Sequence, residues 1–157
     1  MLRSSIIYGC ALLLGASLMS FEIVASRYLT PYFGSGINTW ASLIALVLFG
    51  MTVGYFVGGL LVDRFPALTL AALFAGVAGL WFAAVPSVSD LFLRPIMLAF
   101  QSEVWGVLVA SSFLLFVPIV CLGTYSPIAV RLMIRRVETS GETAGFIYGV
   151  STFGNIV

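Results

Sequence analysis

The sequence predicts an all-α, polytopic membrane helix bundle, and three observations carry that prediction. Hydrophobic residues make up 61% of the 157-residue chain and charged residues only 8%, which excludes an ordinary soluble domain. Residues 41–62 contain no charge and extend about 33 Å as a helix, enough to cross the hydrocarbon core of a bilayer. Within that run Gly50, Gly54 and Gly58 recur at every fourth residue, a stripe on which a second helix backbone can approach closely. A soluble amphipathic helix keeps a polar face, and this one has none.

Composition removes several functions. All seven basic residues are arginine, histidine and lysine are absent, and the net charge is +1. The only dense basic run is Arg135-Arg136 beside Arg131, so nucleic-acid binding has no electrostatic footprint. With no histidine, two distant cysteines and few acids, no metal site is expected, and no cofactor. Cys10 and Cys121 lie inside apolar runs and read as small hydrophobes. The apolar run after Arg3 continues to about Ile23, so it reads as a retained first membrane helix rather than a cleaved leader.

Helix one is predicted over about residues 6–29, ended by Pro31, with Ala11, Gly15, Ala16 and Ser20 suited to close contact. Residues 30–36 read as a turn, with Tyr32 and Trp40 as interfacial aromatics. Helix two covers about 38–62. The short Asp63-Arg64-Phe65-Pro66 turn predicts helices two and three as antiparallel neighbours. Helix three covers about 68–85 and repeats the small-residue rule through Ala72, Gly76, Gly79 and Ala83; Pro86 is expected to end it. The following apolar run is broken by Arg94-Pro95 and too short to span, so a loop with an interfacial segment over about 91–101 is expected.

Helix four covers about 104–122, with Pro118 as a kink. Ser126-Pro127 offers an N-cap followed by proline at the first helical position. It would open a short basic interfacial segment over about 127–137, or a bent extension of helix four. Thr139 and Glu142 have capping-box spacing before a fifth helix over 143–157. Those residues reach only about 22 Å, so the fifth helix is truncated, as though a continuation were missing. Gly141, Gly145 and Gly149 repeat the four-residue stripe there. The expectation is one membrane domain over residues 1–157 with about five transmembrane helices.

With the N-terminus inside, Arg3, Arg64, Arg131, Arg135 and Arg136 are cytoplasmic while Arg27 and Arg94 are outside. That majority favours a multi-pass protein of the inner (plasma) membrane with a cytoplasmic N-terminus.

Glu22 is the most informative candidate site residue, because an ionised acid costs on the order of 2–3 kcal/mol at the bilayer centre and less near its surface. It reads either as a ligand for a cationic amine or a proton site, or as an interfacial residue hydrogen-bonded to a neighbouring helix. Tyr55 is a candidate to reach it. Asp63 and Arg64 sit in a tight helix turn, with Arg131 as the nearest candidate partner for Asp63; the alternative is a solvated turn. Gly50, Gly54, Gly58, Gly145 and Gly149 read as helix-packing positions. No catalytic residue stands out.

Gly58-Gly59-Leu60-Leu61-Val62-Asp63-Arg64 resembles the loop between helices two and three of major facilitator transporters. That resemblance implies that Asp63, Arg64 and Arg131 form a cytoplasmic charge latch. Phe21-Glu22-Ile23-Val24-Ala25-Ser26-Arg27 precedes it, and Thr124-Tyr125-Ser126-Pro127-Ile128-Ala129-Val130-Arg131-Leu132 follows. Last comes Thr143-Ala144-Gly145-Phe146-Ile147-Tyr148-Gly149-Val150-Ser151-Thr152-Phe153-Gly154-Asn155. The series resembles the membrane portion of integral spermidine synthase-like proteins, in which major-facilitator-like helices precede a soluble aminopropyltransferase domain. The nucleotide loop and catalytic aspartate of that soluble half have no counterpart in these residues.

The resemblance therefore implies a non-catalytic membrane domain that anchors, or passes small cationic metabolites to, an aminopropyltransferase domain. The alternatives are a structural accessory subunit of a larger membrane complex and a half-transporter that dimerises. Expected partners are membrane lipid and, through helix five, another membrane protein or a copy of the chain.

Overall fold

The computed structural model describes residues 2–134 and 140–156, with residues 2 and 3 as backbone alone. These residues form six helical segments and no strand: α1 (Leu2–Phe33), α2 (Ile37–Val62), α3 (Ala67–Ala99), α4 (Glu103–Gly123), α5 (Tyr125–Met133) and α6 (Ser140–Gly154). Four stretches are long and apolar enough to cross a membrane: α1, α2, α3, and α4 with α5 as one run from Glu103 to Met133. The chain is a membrane helix bundle. At 15 residues, α6 extends about 22 Å, short of a hydrocarbon core of about 30 Å.

Pairs of contacts fix the helix directions. Phe21 packs on Phe82 and Tyr32 bonds Asp90, while Tyr8 packs on Phe146 and Gly15 meets Ser151, so α1, α3 and α6 run the same way. The α2 glycines meet α4 in ascending order, so those two share the opposite direction. The span through α4 and α5 is 61% buried while that of α3 is 17% buried, which makes α4 the axis and α3 the periphery. Around α4, the core gathers Leu18, Ala25 and Leu29 of α1 with Leu43, Leu46 and Val47 of α2. From α4 itself come Leu114, Leu115 and Ile119.

Helices two and three run antiparallel, but the expectation that they are neighbours does not hold. The main contacts of α2 are with α4, and α2 and α3 barely touch. A four-residue turn limits how far apart two helix ends can be, while the stripe of small residues decides what packs. The α2 stripe selects α4.

Two expected helix ends are corrected. Pro31 does not stop α1, which continues through it to Phe33. The stop is Gly34, whose φ of +74° is open to glycine at no steric cost. Its N–H closes on the Thr30 carbonyl at 2.9 Å, and Thr39 Oγ1 donates to the Gly34 carbonyl at 3.0 Å.

Nor does Pro86 end helix three: α3 runs 33 residues with both Pro86 and Pro95 inside it. The expected interfacial segment over 91–101 is instead largely the C-terminal part of α3, and only residues 100–102 separate α3 from α4. The buried positions Val85, Ser89 and Leu93 carry one helical face straight through Pro86. Packing on α1 and α4 thus holds a register that proline alone would break. At about 50 Å, α3 is longer than a hydrocarbon core of about 30 Å, and its charged residues, Asp90 and Arg94, lie in its C-terminal turns. There the Tyr32 hydroxyl donates to the Asp90 carboxylate at 2.6 Å, tying α3 to the end of α1.

Where α4 meets α5, the bent extension is what forms, with Thr124 alone between the two segments. Ser126 is not an N-cap; that position belongs to Thr124, whose side chain makes no capping bond and donates back to the Cys121 carbonyl at 2.7 Å. Ile128 and Ala129 are fully buried, so α5 is part of the bundle rather than a helix lying on the surface. Thr139 of the expected capping box lies outside the described residues, as do Arg135 and Arg136.

Ser35, between α1 and α2, and Ser140, opening α6, stand at opposite ends of the bundle. Single cysteines at these positions, with Cys10 and Cys121 replaced, should therefore label from opposite sides of the membrane. Labelling of both by one impermeant maleimide in sealed, right-side-out vesicles would refute this topology.

Candidate functional site

Each candidate residue takes its place from the helix that carries it. Glu22 shares the inner face of α1 with Gly15, Leu18, Ala25 and Leu29 and is 8% exposed. Among the described residues it has neither a hydrogen bond nor an ion pair. Arg27 is exposed on another face of α1. Tyr55 does not serve Glu22. It lies more than four turns below the start of α2 and meets Tyr148 of α6 edge to face, with ring centroids 5.7 Å apart.

Asp63 and Arg131 line one hollow of about 330 Å³ together with Gly59, Pro127, Ala144 and Tyr148. The hollow sits between the C-terminal ends of α2 and α5 and the N-terminal half of α6, at one side of the bundle. The two charges face a common space without forming an ion pair. Arg64 is exposed in the turn and does not line the hollow; its backbone N–H caps the Leu61 carbonyl at 3.0 Å.

The five packing glycines divide into two groups. Gly50, Gly54 and Gly58 are buried against α4 and α5. A Cβ at Gly50 would lie 2.8 Å from Ile119 Cγ2, one at Gly54 2.5 Å from the Val120 carbonyl oxygen, and one at Gly58 2.8 Å from the Thr124 carbonyl oxygen. Gly145 and Gly149 have nothing within 4 Å of such a Cβ, and neither has Gly141. They lie about 160° around α6 from its buried residue Ile147, given 100° per residue. With Leu12, Phe146 and Phe153 they border an open groove of about 360 Å³ along the α1–α6 seam. The close contact between α1 and α6 is made elsewhere. Gly154 lies against the Leu12 carbonyl and Gly15 against the Ser151 carbonyl.

Two contacts have no signal in the sequence. Pro118 has no N–H to give the Leu114 carbonyl, and Trp81 Nε1 donates to it instead at 3.0 Å. Trp81 thereby joins α3 to the axis, whereas Trp40 and Trp105 are exposed near the opening turns of α2 and α4. The Tyr125 hydroxyl donates to the Ile7 carbonyl at 2.8 Å and joins α5 to α1. A tryptophan or tyrosine in an apolar run signals such a role only once the helix facing it is known.

Comparison with known proteins gives no match: no family model, no curated protein and no solved structure is similar to the chain.

Proposed function

We propose that the chain is a non-catalytic membrane domain that works by docking a further membrane element on the outer face of α6. One observation carries this reading. Gly145 and Gly149 form a small-residue face that meets nothing among the described residues, beside exposed Phe146 and Phe153 and an open groove. Small residues at membrane helix surfaces gain stability only when another backbone comes close, because lipid tails are as apolar as the helix itself. The glycines of α2 illustrate the outcome when a partner is present.

The resemblance to integral spermidine synthase-like proteins supplies the content of that role: anchoring an aminopropyltransferase domain, or passing small cationic metabolites to it. An accessory subunit of a larger complex differs only in what is docked. A second reading, a dimerising half-transporter, draws on Glu22, the one acid buried in the bundle among the described residues.

The docking face is tested with the Gly149→Cys variant, with Cys10 and Cys121 replaced, by oxidising native membranes. A covalent adduct larger than the monomer is expected. Complete reaction of the introduced thiol with a membrane-permeant maleimide in those membranes would overturn the proposal. Purified chain should also form no spermidine from putrescine and decarboxylated S-adenosylmethionine; turnover would overturn the non-catalytic reading.

A further inference from the structure

A small pocket lies where α1, the α4–α5 joint and α6 meet. It leaves about 20 Å³ for the centre of a water molecule and is lined by Gly15, Gly123, Ser126, Ser151 and Asn155, with Leu18 and Met51 among its apolar walls. A water needs about 10–15 Å³ by that measure and two to four polar partners.

Two polar side chains at this space have no hydrogen-bond partner among the described residues, and one backbone carbonyl lacks its helical donor. Ser126 is 5% exposed and its hydroxyl has no hydrogen bond among the described residues. Asn155 Oδ1 is buried and unpaired. The Gly123 carbonyl has no helical donor, because the residue four positions on is Pro127. The equivalent carbonyl one proline earlier, on Leu114, takes the Trp81 indole. No side chain with a free N–H lines this second site apart from Asn155 itself.

We propose that the pocket holds one resident water molecule, which donates to the Gly123 carbonyl and Asn155 Oδ1 and accepts from the Ser126 hydroxyl. A buried amide oxygen left bare inside an apolar bundle carries a desolvation penalty that a single bridging water removes. Water also serves either end of the Asn155 amide, since it donates and accepts. A monovalent cation fits the oxygens but not the charge: no carboxylate lines the pocket, and an unpaired charge at that depth is far more costly than a neutral guest. The water makes the proline-broken joint of α4 and α5 a polar junction with α6, and this site is independent of what docks on the outer face.

Ser126→Ala in the full chain tests it, with thermal unfolding followed in detergent. Serine without a partner is no better than alanine in a helix, so a dry pocket gives an unchanged or higher Tm. A bound water loses its donor on that substitution, and Tm is expected to fall by about 2–6 °C. Ser126→Thr, which keeps the hydroxyl, should retain most of the parent Tm. The direct readout is water-edited solid-state NMR of the bilayer-embedded protein, where Asn155 side-chain signals should show transfer from slowly exchanging water. No transfer together with an unchanged Ser126→Ala Tm overturns the proposal. A Tm that rises in sodium chloride over choline chloride, and loses that rise in Ser126→Ala, overturns it in favour of a cation.

Discussion

Gly54→Ala is expected to push α2 off α4 and destabilise the bundle by about 2–3 kcal/mol or more. The new methyl would meet the Val120 carbonyl oxygen at 2.5 Å and Gly123 Cα at 3.0 Å. Both are backbone atoms of the central helix, so no rotamer change can make room. Gly123 is itself a glycine facing Gly54, and the two backbones touch there without side chains between them. Because α4 also carries the contacts to α1 and α3, a shift of α2 opens the whole axis. Gly59→Ala in the same helix is the matched control. Nothing lies within 4 Å of its added carbon, and alanine is the better helix former by about 1 kcal/mol. Reversible unfolding of the two variants by denaturing detergent should therefore move in opposite directions. Equal stabilities would mean that the α2–α4 contact is looser than these distances state.

The four spanning helices are readable from runs of uncharged residues, because a bilayer imposes a length and a composition that few other environments do. The runs over 38–62 and 104–122 fall within a residue or so of α2 and α4. The misplaced ends share one cause. Reading Pro31 and Pro86 as stops gives proline the value it has in water, where a freed carbonyl competes for solvent and the helix ends. In this bundle packing continues the helix, and a neighbour such as Trp81 can take the freed carbonyl at another proline. Glycine spacing is readable as a stripe but not as a partner. The stripes of α2 and α6 look alike in the sequence, yet one is buried and the other bare. Of the residues that do join α6 to α1, Gly15 is one of the small residues of helix one read as suited to close contact, whereas Gly154 falls outside the α6 stripe. Polar placement is the least legible. Tyr55 is offered as a candidate to reach Glu22, yet its actual neighbour is Tyr148, on a helix that only the tertiary fold brings near.

Gly154→Ala should release α6 from α1 while leaving the four spanning stretches assembled. A Cβ at this position would overlap the Leu12 carbonyl oxygen and stand 3.1 Å from the Ala16 nitrogen. Gly15 faces the Ser151 carbonyl one turn earlier on α6, so two glycines in different helices each accept the other helix's backbone. Such reciprocal contact lets Cα–H groups point at carbonyl oxygens, each worth about 0.5–1 kcal/mol, and either methyl removes the pair. The loss stays local, because among the described residues α6 packs mainly on α1 and α5, with the Tyr148–Tyr55 ring contact to α2 besides. The reporter is the Tyr8–Phe146 pair, whose rings lie 5.0 Å apart. Cysteines at these two positions, with Cys10 and Cys121 replaced, should give a cross-link with a short bifunctional thiol reagent in the parent background. In Gly154→Ala its yield should fall at least about tenfold, the effect of some 1.4 kcal/mol on a docking equilibrium. Gly145→Ala, which meets nothing, should keep the parent yield. If Gly154→Ala cross-links as well as Gly145→Ala does, α6 is held by its Ile147 face rather than by glycine contact, and the assignment of that seam fails.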